Sequence, residues 1–369
     1  MKILQILPEL NSGGVERGTL EIAAHLIRSG HEALVVSNGG WQVAALEKCG
    51  ARHVRMPVDR KSLTTLGQVW RLRRLFREER PDIVHIRSRV PGWLAWLALR
   101  GMAAAERPRL VSTVHGFYSV NFYSGVMTRG ERVIAVSESI RDYVLENFPR
   151  TPPAHIRVIP RGVELDHYAR DFGPPAAWRA EWRAGQPQCA GKVVLLLPGR
   201  ITRLKGHEDF FNVLAGLRRT GVAAQGLVVG DTHPKKRAYL AELRATAARL
   251  GVGDDVSFLG HRGDVREIMA VSDIVYSLSQ QPESFGRVTL ETLALGRPFI
   301  GYDHGGVGEQ LRPFFPAGCV KLGDQAGLLA ATLRVLSERP TPGIVGEPYT
   351  LDCMCRSTLA VYGELVTKP

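Results

Sequence analysis

The chain alternates two kinds of segment. Short, nearly unbroken apolar runs are separated by longer stretches in which apolar residues recur every three or four positions. The first half carries the runs "KILQIL", "EALVVS", "DIVHI", "RLVSTV" and "RVIAVS"; the second carries "VVLLLPG", "GLVVG", "VSFLG", "DIVYSL" and "PFIGY". A strand that does not alternate apolar with polar residues is covered on both faces, as in a parallel sheet. The periodic stretches, among them 15–28, 63–79, 235–250 and 288–295, predict helices. Strands alternating with helices predict a doubly wound α/β sheet. The pattern runs through twice, so two Rossmann-like domains are expected, facing a central cleft.

The two patterns part in "TPPAHIRVIPRGVELDHYARDFGPPAAW", where prolines and turn residues crowd together. The expected division is an N-terminal domain at 1–165, a C-terminal domain at 166–345, and a tail at 346–369. The tail sequence "TLDCMCRSTLAVYGELV" reads as a helix that crosses back to the first domain.

In doubly wound sheets, ligands sit beyond the carboxyl ends of the strands. After the first strand, "NSGGVERG" places Gly13 and Gly14 where backbone can approach an anion at a helix start, although a full dinucleotide fingerprint is missing. After "RLVSTV" comes His115, able to hydrogen-bond a sugar hydroxyl or to assist proton transfer. After "VVLLLPG" come Arg200 and Lys205, a fork and a point charge that suit a diphosphate, with Arg203 as a third candidate. A plain strand–helix turn, a structural histidine and a solvated basic loop remain the respective alternatives.

The stretch "PESFGRVTLETLALGRP" follows "DIVYSLSQQ". Pro282 to Gly286 are expected as loop, with a helix starting near Phe285 or Gly286 whose free N–H groups favour phosphate. Glu283 and Glu291 are candidates for an acid/base pair or for two hooks on one long ligand. Eight residues of helix span about 12 Å, more than the roughly 5–9.5 Å between paired glycosidase carboxylates. The spacing therefore favours two ends of an elongated ligand. A nucleotide-sugar fits, with its sugar near Glu283, its diphosphate over the helix start and Arg200/Lys205, and its ribose near Glu291.

Charge adds a partner class. Of 369 residues, 48 are Lys or Arg and 36 Asp or Glu, a net charge of +12. Residues 1–165 hold 24 against 15, or +9, and the rest 24 against 21, or +3. The first domain thus suits a nucleic acid, an anionic membrane or an acidic substrate, unless the arginines serve solubility alone. The helix in "SLTTLGQVWRLRRLFREER" combines Leu66, Trp70 and Phe76 with Arg71, Arg73, Arg74 and Arg77. It reads either as a helix resting on an anionic inner leaflet or as a Rossmann helix with its arginines in water.

Composition excludes several classes. Apolar residues make up 44% of the chain, enough for a sizeable core. Five scattered cysteines form no disulfide or zinc framework, which points to a reducing cytoplasm. "MKILQILPEL" is broken by Gln5, Pro8 and Glu9, so no signal peptide is expected. "GWLAWLAL" is far short of the roughly 20 residues of a membrane span. The expected location is cytoplasmic, extending to the inner face of the cytoplasmic membrane. No D-x-D, H-E-x-x-H, P-loop or G-x-S-x-G occurs, so neither a metal nor a cofactor is expected.

Taken together, these segments resemble glycosyltransferase family 4, of the GT-B fold, over nearly the whole chain. "NSGGVER" resembles its glycine loop. "RPDIVHIRSR", "VSTVHGFYS", "RVIAVSESIRDYV" and "IRVIPRGVELDHY" resemble its N-domain segments. "LLPGRITRLKG" resembles its phosphate-binding segment, and "VSFLGHRGDVREIMAVSDIVYSLSQQPESFGRVTLETLALGRPFIGYDHGGVGEQL" its core signature with E-x7-E.

The resemblance implies that Gly14 lies against the donor phosphates and His115 beside the transferred sugar. It implies that Arg200 and Lys205 bind diphosphate, that Glu283, Ser284, Phe285 and Gly286 bind the sugar, and that Glu291 binds the ribose, with the base near His261 and Arg262. Arg287 departs from the family, which often has an apolar residue there. "HGFYSVNFYSGVMTRGERVIAVS" looks more like members that build bacterial lipopolysaccharide and other surface glycans.

The implied activity is retaining, metal-independent transfer from a UDP- or GDP-sugar to a lipopolysaccharide core or other lipid-linked glycan. Same-face attack is implied, with a donor phosphate oxygen taking the acceptor proton. The alternatives are a sugar-nucleotide epimerase of GT-B type and a non-catalytic sugar-nucleotide-binding protein. No specific nucleic-acid partner is expected, because no recognition motif accompanies the charge.

Overall fold

The computed structural model describes residues 1–11, 13–231 and 237–366. It forms two units, Met1–Gly162 with the segment from Pro348 onward, and Val163–Glu347; the expected boundaries were 165 and 345.

The first unit holds seven parallel strands: β1 (Lys2–Ile6), β2 (Glu32–Ser37), β3 (Arg52–Arg55), β4 (Ile83–Ile86), β5 (Arg109–Val114), β6 (Arg132–Ala135) and β7 (Ile156–Val158). Their order is β3-β2-β1-β4-β5-β6-β7. The second unit holds β8 (Val193–Pro198), β9 (Ala224–Val229), β10 (Val256–Gly260), β11 (Ile274–Ser277), β12 (Phe299–Tyr302) and β13 (Cys319–Val320), also parallel, in the order β10-β9-β8-β11-β12-β13. Winding reverses between β1 and β4 and again between β8 and β11, and such switch points are where open α/β sheets hold ligands.

Every apolar run quoted above contains a strand. The pattern missed β3, β7 and β13, and each of these is an edge. An edge strand is covered less, so it needs no apolar run: in "RHVR" the outer residues are exposed and the inner two half-buried.

The helices follow the periodic stretches, with differences at their ends. Stretch 15–28 is the helix Gly14–Arg28. Stretch 63–79 is two helices, Leu63–Leu66 and Gln68–Glu79, divided at Gly67. Ser62 starts the first by accepting the Thr64 N–H on its hydroxyl. Lys235 and Lys236, expected to open the next helix, lie outside the described residues; the helix there is Arg237–Arg249.

The last helix, Leu351–Val366, belongs to the first unit. Its Met354, Cys355, Val361 and Tyr362 join Ile3, Leu7 and other residues in one buried cluster. Tyr362 is fully buried, and its hydroxyl meets His85 Nδ1 at 2.7 Å. A buried tyrosine needs such a partner, because an unsatisfied hydroxyl costs about 1–3 kcal/mol. No described helix is long and apolar enough to cross a membrane.

Candidate functional site

In the second unit, the loop after β8 is pressed against the loop after β11. Gly206 adopts the left-handed conformation (φ 68°), and a Cβ there would lie 2.0 Å from the Leu278 carbonyl oxygen. Only glycine tolerates both constraints. The Gln280 N–H donates to the Leu204 carbonyl at 2.8 Å, closing the two loops together.

Lys205 is thereby brought to Glu283. Its Nζ donates to Glu283 Oε1 at 2.6 Å, and the Ser279 and Ser277 hydroxyls donate to the same oxygen at 2.6 and 3.0 Å. Glu283 Oε2 takes no bond among the described residues, so it stays available for a hydroxyl pair. Burial pushes the Glu283 carboxyl upward. The Lys205 charge and the bonds from Lys205, Ser279 and Ser277 outweigh it and hold the group below the usual carboxylate range.

Arg200 is exposed and makes no hydrogen bond or ion pair among the described residues. It borders, with Lys205, Thr202 and Tyr239, a cavity of about 510 Å³. Arg203 is already engaged: it pairs with Glu242 and lies 4.6 Å over the Tyr239 ring. The structure thus sets apart Arg203, the third candidate, which the sequence could not rank.

The helix expected near Phe285 or Gly286 begins at Arg287 and runs to Ala294. Gly286 precedes it at φ 83° and supplies no side-chain cap, so the helix start turns the positive end of its dipole toward an anion. The loop ahead of it is clamped from below. The Gly306 N–H donates to the Glu283 carbonyl at 2.8 Å, and Gln310 Nε2 donates to the carbonyls of Phe285 and, at 2.9 Å, Gly306. A Cβ on Gly306 would stand 2.3 Å from Phe285 Cα, so this glycine sets the height of the whole loop. Phe285 is buried and Ser284 half-buried.

Glu291 lies one helical turn beyond Arg287 and is 9% exposed. Arg287 is mostly covered and places Nε 4.0 Å from Glu291 Oε1. The residue that departs from the family pattern is therefore turned toward a predicted site carboxylate.

His261 is exposed at the turn after β10, and Arg262 is bound at 2.9 and 2.7 Å by Asp264. Trp178 Nε1 donates to the same carboxylate at 2.8 Å and stacks on Trp182, with centroids 5.2 Å apart. Asp264 is held below its ordinary range, chiefly by the Arg262 hydrogen bond.

In the first unit, Gly13 and Gly14 are exposed at the start of the helix Gly14–Arg28, which has no side-chain capping bond; Ser12 lies outside the described residues. His115 follows β5. Arg161 Nη2 lies 2.7 Å from its Nδ1, and the His115 N–H donates to the Tyr118 hydroxyl at 3.2 Å.

A guanidinium can only donate, so Nδ1 accepts and Nε2 carries the hydrogen. That Nε2 is buried without a partner among the described residues. Burial first, then Arg161, Arg87 and His85, push the imidazole well below its ordinary value. Of the two roles left open by the sequence, hydrogen-bond donation fits this geometry. A base at Nε2 does not.

The sequence missed what surrounds His115. Arg87, at the β1/β4 switch point, is 1% exposed and donates from Nη1 to Gln5 Oε1 at 2.9 Å; its Nε and Nη2 are unpaired among the described residues. A Cβ on Gly18 would lie 3.0 Å from Arg87 Nη2 and 3.7 Å from Arg161 Nη1, so the glycine makes room for both guanidinium groups. His85, fully buried, sits between the Tyr362 and Thr113 hydroxyls at 2.7 Å each. The available signal was polar residues set inside the apolar run "DIVHIR".

The comparisons with known proteins agree along the chain. The family model described as Glycosyltransferase Family 4 matches residues 12–167, and the one described as Glycosyl transferases group 1 matches 179–347. A 2-deoxystreptamine glucosyltransferase of Streptomyces kanamyceticus is 27% identical over 86% of this chain and 78% of its own. A solved glycosyltransferase of Rickettsia africae superposes with TM-score 0.87 at 26% identity, covering 100% of this chain and 99% of that one. An Anabaena protein solved with UDP and glucose superposes with TM-score 0.81 at 21% identity, covering 98% and 99%.

Proposed function

The chain belongs to glycosyltransferase family 4, with the GT-B fold, and from that premise we propose that its second unit binds the nucleotide-sugar donor through Arg200, Lys205, the helix start at Arg287, Glu283 and Glu291. The observation that carries this reading is the Lys205–Glu283 pair beside the unpaired Arg200 and the uncapped helix. A donor diphosphate offers Lys205 a stronger anionic partner than one carboxylate and leaves Glu283 free to accept sugar hydroxyls. Arg200, Lys205 and the helix N–H groups then stabilise charge that grows on the leaving diphosphate.

The family resemblance supports a retaining outcome. The bond from the anomeric carbon to the diphosphate breaks, the acceptor oxygen bonds that carbon on the same face, and the acceptor proton passes to a phosphate oxygen. Glu283 is not the nucleophile in this scheme. It is held ionised by Lys205, which suits binding. The family resemblance gives His115 the place beside the transferred sugar, and Nε2 is the ring nitrogen with a hydrogen left to offer.

A UDP-sugar is the first donor to test, on the strength of the Anabaena protein, and a GDP-sugar the second. A lipopolysaccharide core or other lipid-linked glycan is the proposed acceptor, supported by the resemblance of the segment 115–137. Thermal shift against UDP-, GDP- and ADP-sugars tests the donor: stabilisation by one class is expected, and none by any would refute the reading. Transfer is expected to survive EDTA, and a strict metal requirement would overturn the metal-independent scheme. Sugar conversion without any acceptor would favour the epimerase alternative.

A further inference from the structure

The first unit carries an apolar pocket that the donor reading does not use. It has a volume of about 680 Å³ and is lined by Trp96, Val120, Phe122, Phe148, Arg129 and Arg150, among others. Beside it lies a second cavity of about 710 Å³ that shares Trp96, Arg129 and Glu131 and adds Arg100, Arg107 and Arg109.

The pocket is aromatic and open. Trp93 meets Trp96 edge-on at 5.4 Å and Phe122 at 5.0 Å. Phe122 is 74% exposed and Val120 57%, so apolar surface stands open at the pocket mouth.

The charge around it is one-sided. Glu131, the acid on the lining, is committed to Arg109 at 2.9 Å and to the Leu110 N–H at 3.1 Å. Arg107 donates to the Met102 carbonyl. Arg100, Arg129 and Arg150 form no ion pair among the described residues. Burial, then the charges of Arg100 and Arg150, push the Arg129 guanidinium downward.

Apolar floor and anionic-seeking rim together describe an amphiphile with a negative head. The geometry points to this pocket as a docking site for an anionic phospholipid, so that the first unit rests on a membrane surface through Trp96, Phe122, Arg100, Arg129 and Arg150. The headgroup phosphate meets the arginines and the acyl region lies along the exposed sides of Phe122 and Val120.

A single-stranded nucleic acid is the rival for such a surface, but it needs aromatic faces free to stack. Arg129 already covers them, lying 4.4 Å over Trp96, 5.0 Å over Trp93 and 5.2 Å over Phe122. The pocket also differs from the helix Gln68–Glu79, whose Val69, Leu72 and Phe76 are buried in the fold while Trp70 is exposed.

Flotation with vesicles of phosphatidylglycerol, or of phosphatidylcholine alone, tests the assignment. The full chain is expected to float with the anionic vesicles, to be released by high salt, and to ignore the neutral ones. Arg129→Gln/Arg150→Gln should weaken partitioning about 25-fold, at about fivefold per arginine near an anionic surface. Phe122→Ser should weaken it less, and this exposed position guards against loss by misfolding. Arg71→Gln/Arg74→Gln, on the neighbouring helix, should change it less than twofold.

No flotation of the wild-type chain, equal flotation with neutral vesicles, or an equal loss in the helix variant would each overturn the proposal. So would displacement of the chain from vesicles by a single-stranded oligonucleotide at equal charge concentration. Thermal stabilisation by a UDP-sugar, measured on every variant, reports on the donor site separately and should be unchanged.

Discussion

The two units hold their functional cations in opposite ways. In the second, Lys205 meets an ionised carboxylate, Glu283, supported by two serine hydroxyls. In the first, Arg161 meets a neutral imidazole, His115, with Arg87 buried nearby. Balanced charge can exchange partners, so Lys205 is free to trade Glu283 for a diphosphate. Excess charge cannot be traded. Together with burial, it instead keeps the imidazole beside it neutral, and the Arg161 contact leaves the hydrogen of His115 on Nε2.

The sharpest way to break this contrast is at Lys205. Lys205→Ala should lower turnover by about 10²–10³-fold, the usual cost of removing one preorganised donor, while Tm falls by no more than a few degrees. Unchanged turnover in a steady-state assay would remove the diphosphate role. The pair also predicts a pH dependence. Glu283's folded value is depressed, so its contribution to stability is full above its unfolded value of about 4.3 and is lost as pH falls through the folded value. Acid titration of Tm should show this loss in the wild type and less of it in Lys205→Ala.

Glu291→Ala should weaken UDP binding about tenfold in calorimetry, the worth of one or two hydrogen bonds. Unaltered affinity would show that Arg287, not a ribose, is the reason for this carboxylate.

The smallest effect should appear in the first unit. Arg161→Met removes the donor that holds Nδ1 of His115 as an acceptor, so the hydrogen is no longer fixed on Nε2 and turnover at pH 8 should drop a few-fold. Arg161→Lys, which still donates, should restore it. Wild-type stability depends on pH through the same histidine. His115 and His85 stay neutral when folded, so stability is full above about pH 6.5 and declines as pH falls below it, where the unfolded chain binds protons more readily. Unchanged turnover of Arg161→Met at pH 8 would contradict the role given to Arg161.

Much of this architecture was legible in the sequence because central parallel strands are buried on both faces and write themselves as apolar runs. β3, β7 and β13 were not legible, since an edge strand needs little apolar residue. Around the donor candidates, the glutamates and the two cations are local signals at strand ends.

The partners that set their state are remote in the chain. Nothing local singles out Ser277, Ser279, Gly306 or Gln310 until the fold brings them against Glu283 and Phe285. Arg161 lies 46 positions from His115, and nothing in "VIPRGV" points to an imidazole. Gly67 likewise broke a helix that the periodicity ran straight through.

Whether the second unit is a nucleotide-sugar site built on the Lys205–Glu283 pair is decided by calorimetric titration of the wild-type chain and Lys205→Ala with a UDP-sugar and with a GDP-sugar. Saturable binding of one of them to the wild type is expected, with at least tenfold weaker binding to the variant. Equal affinity in the two proteins, or no binding of either nucleotide-sugar to the wild type, would contradict it.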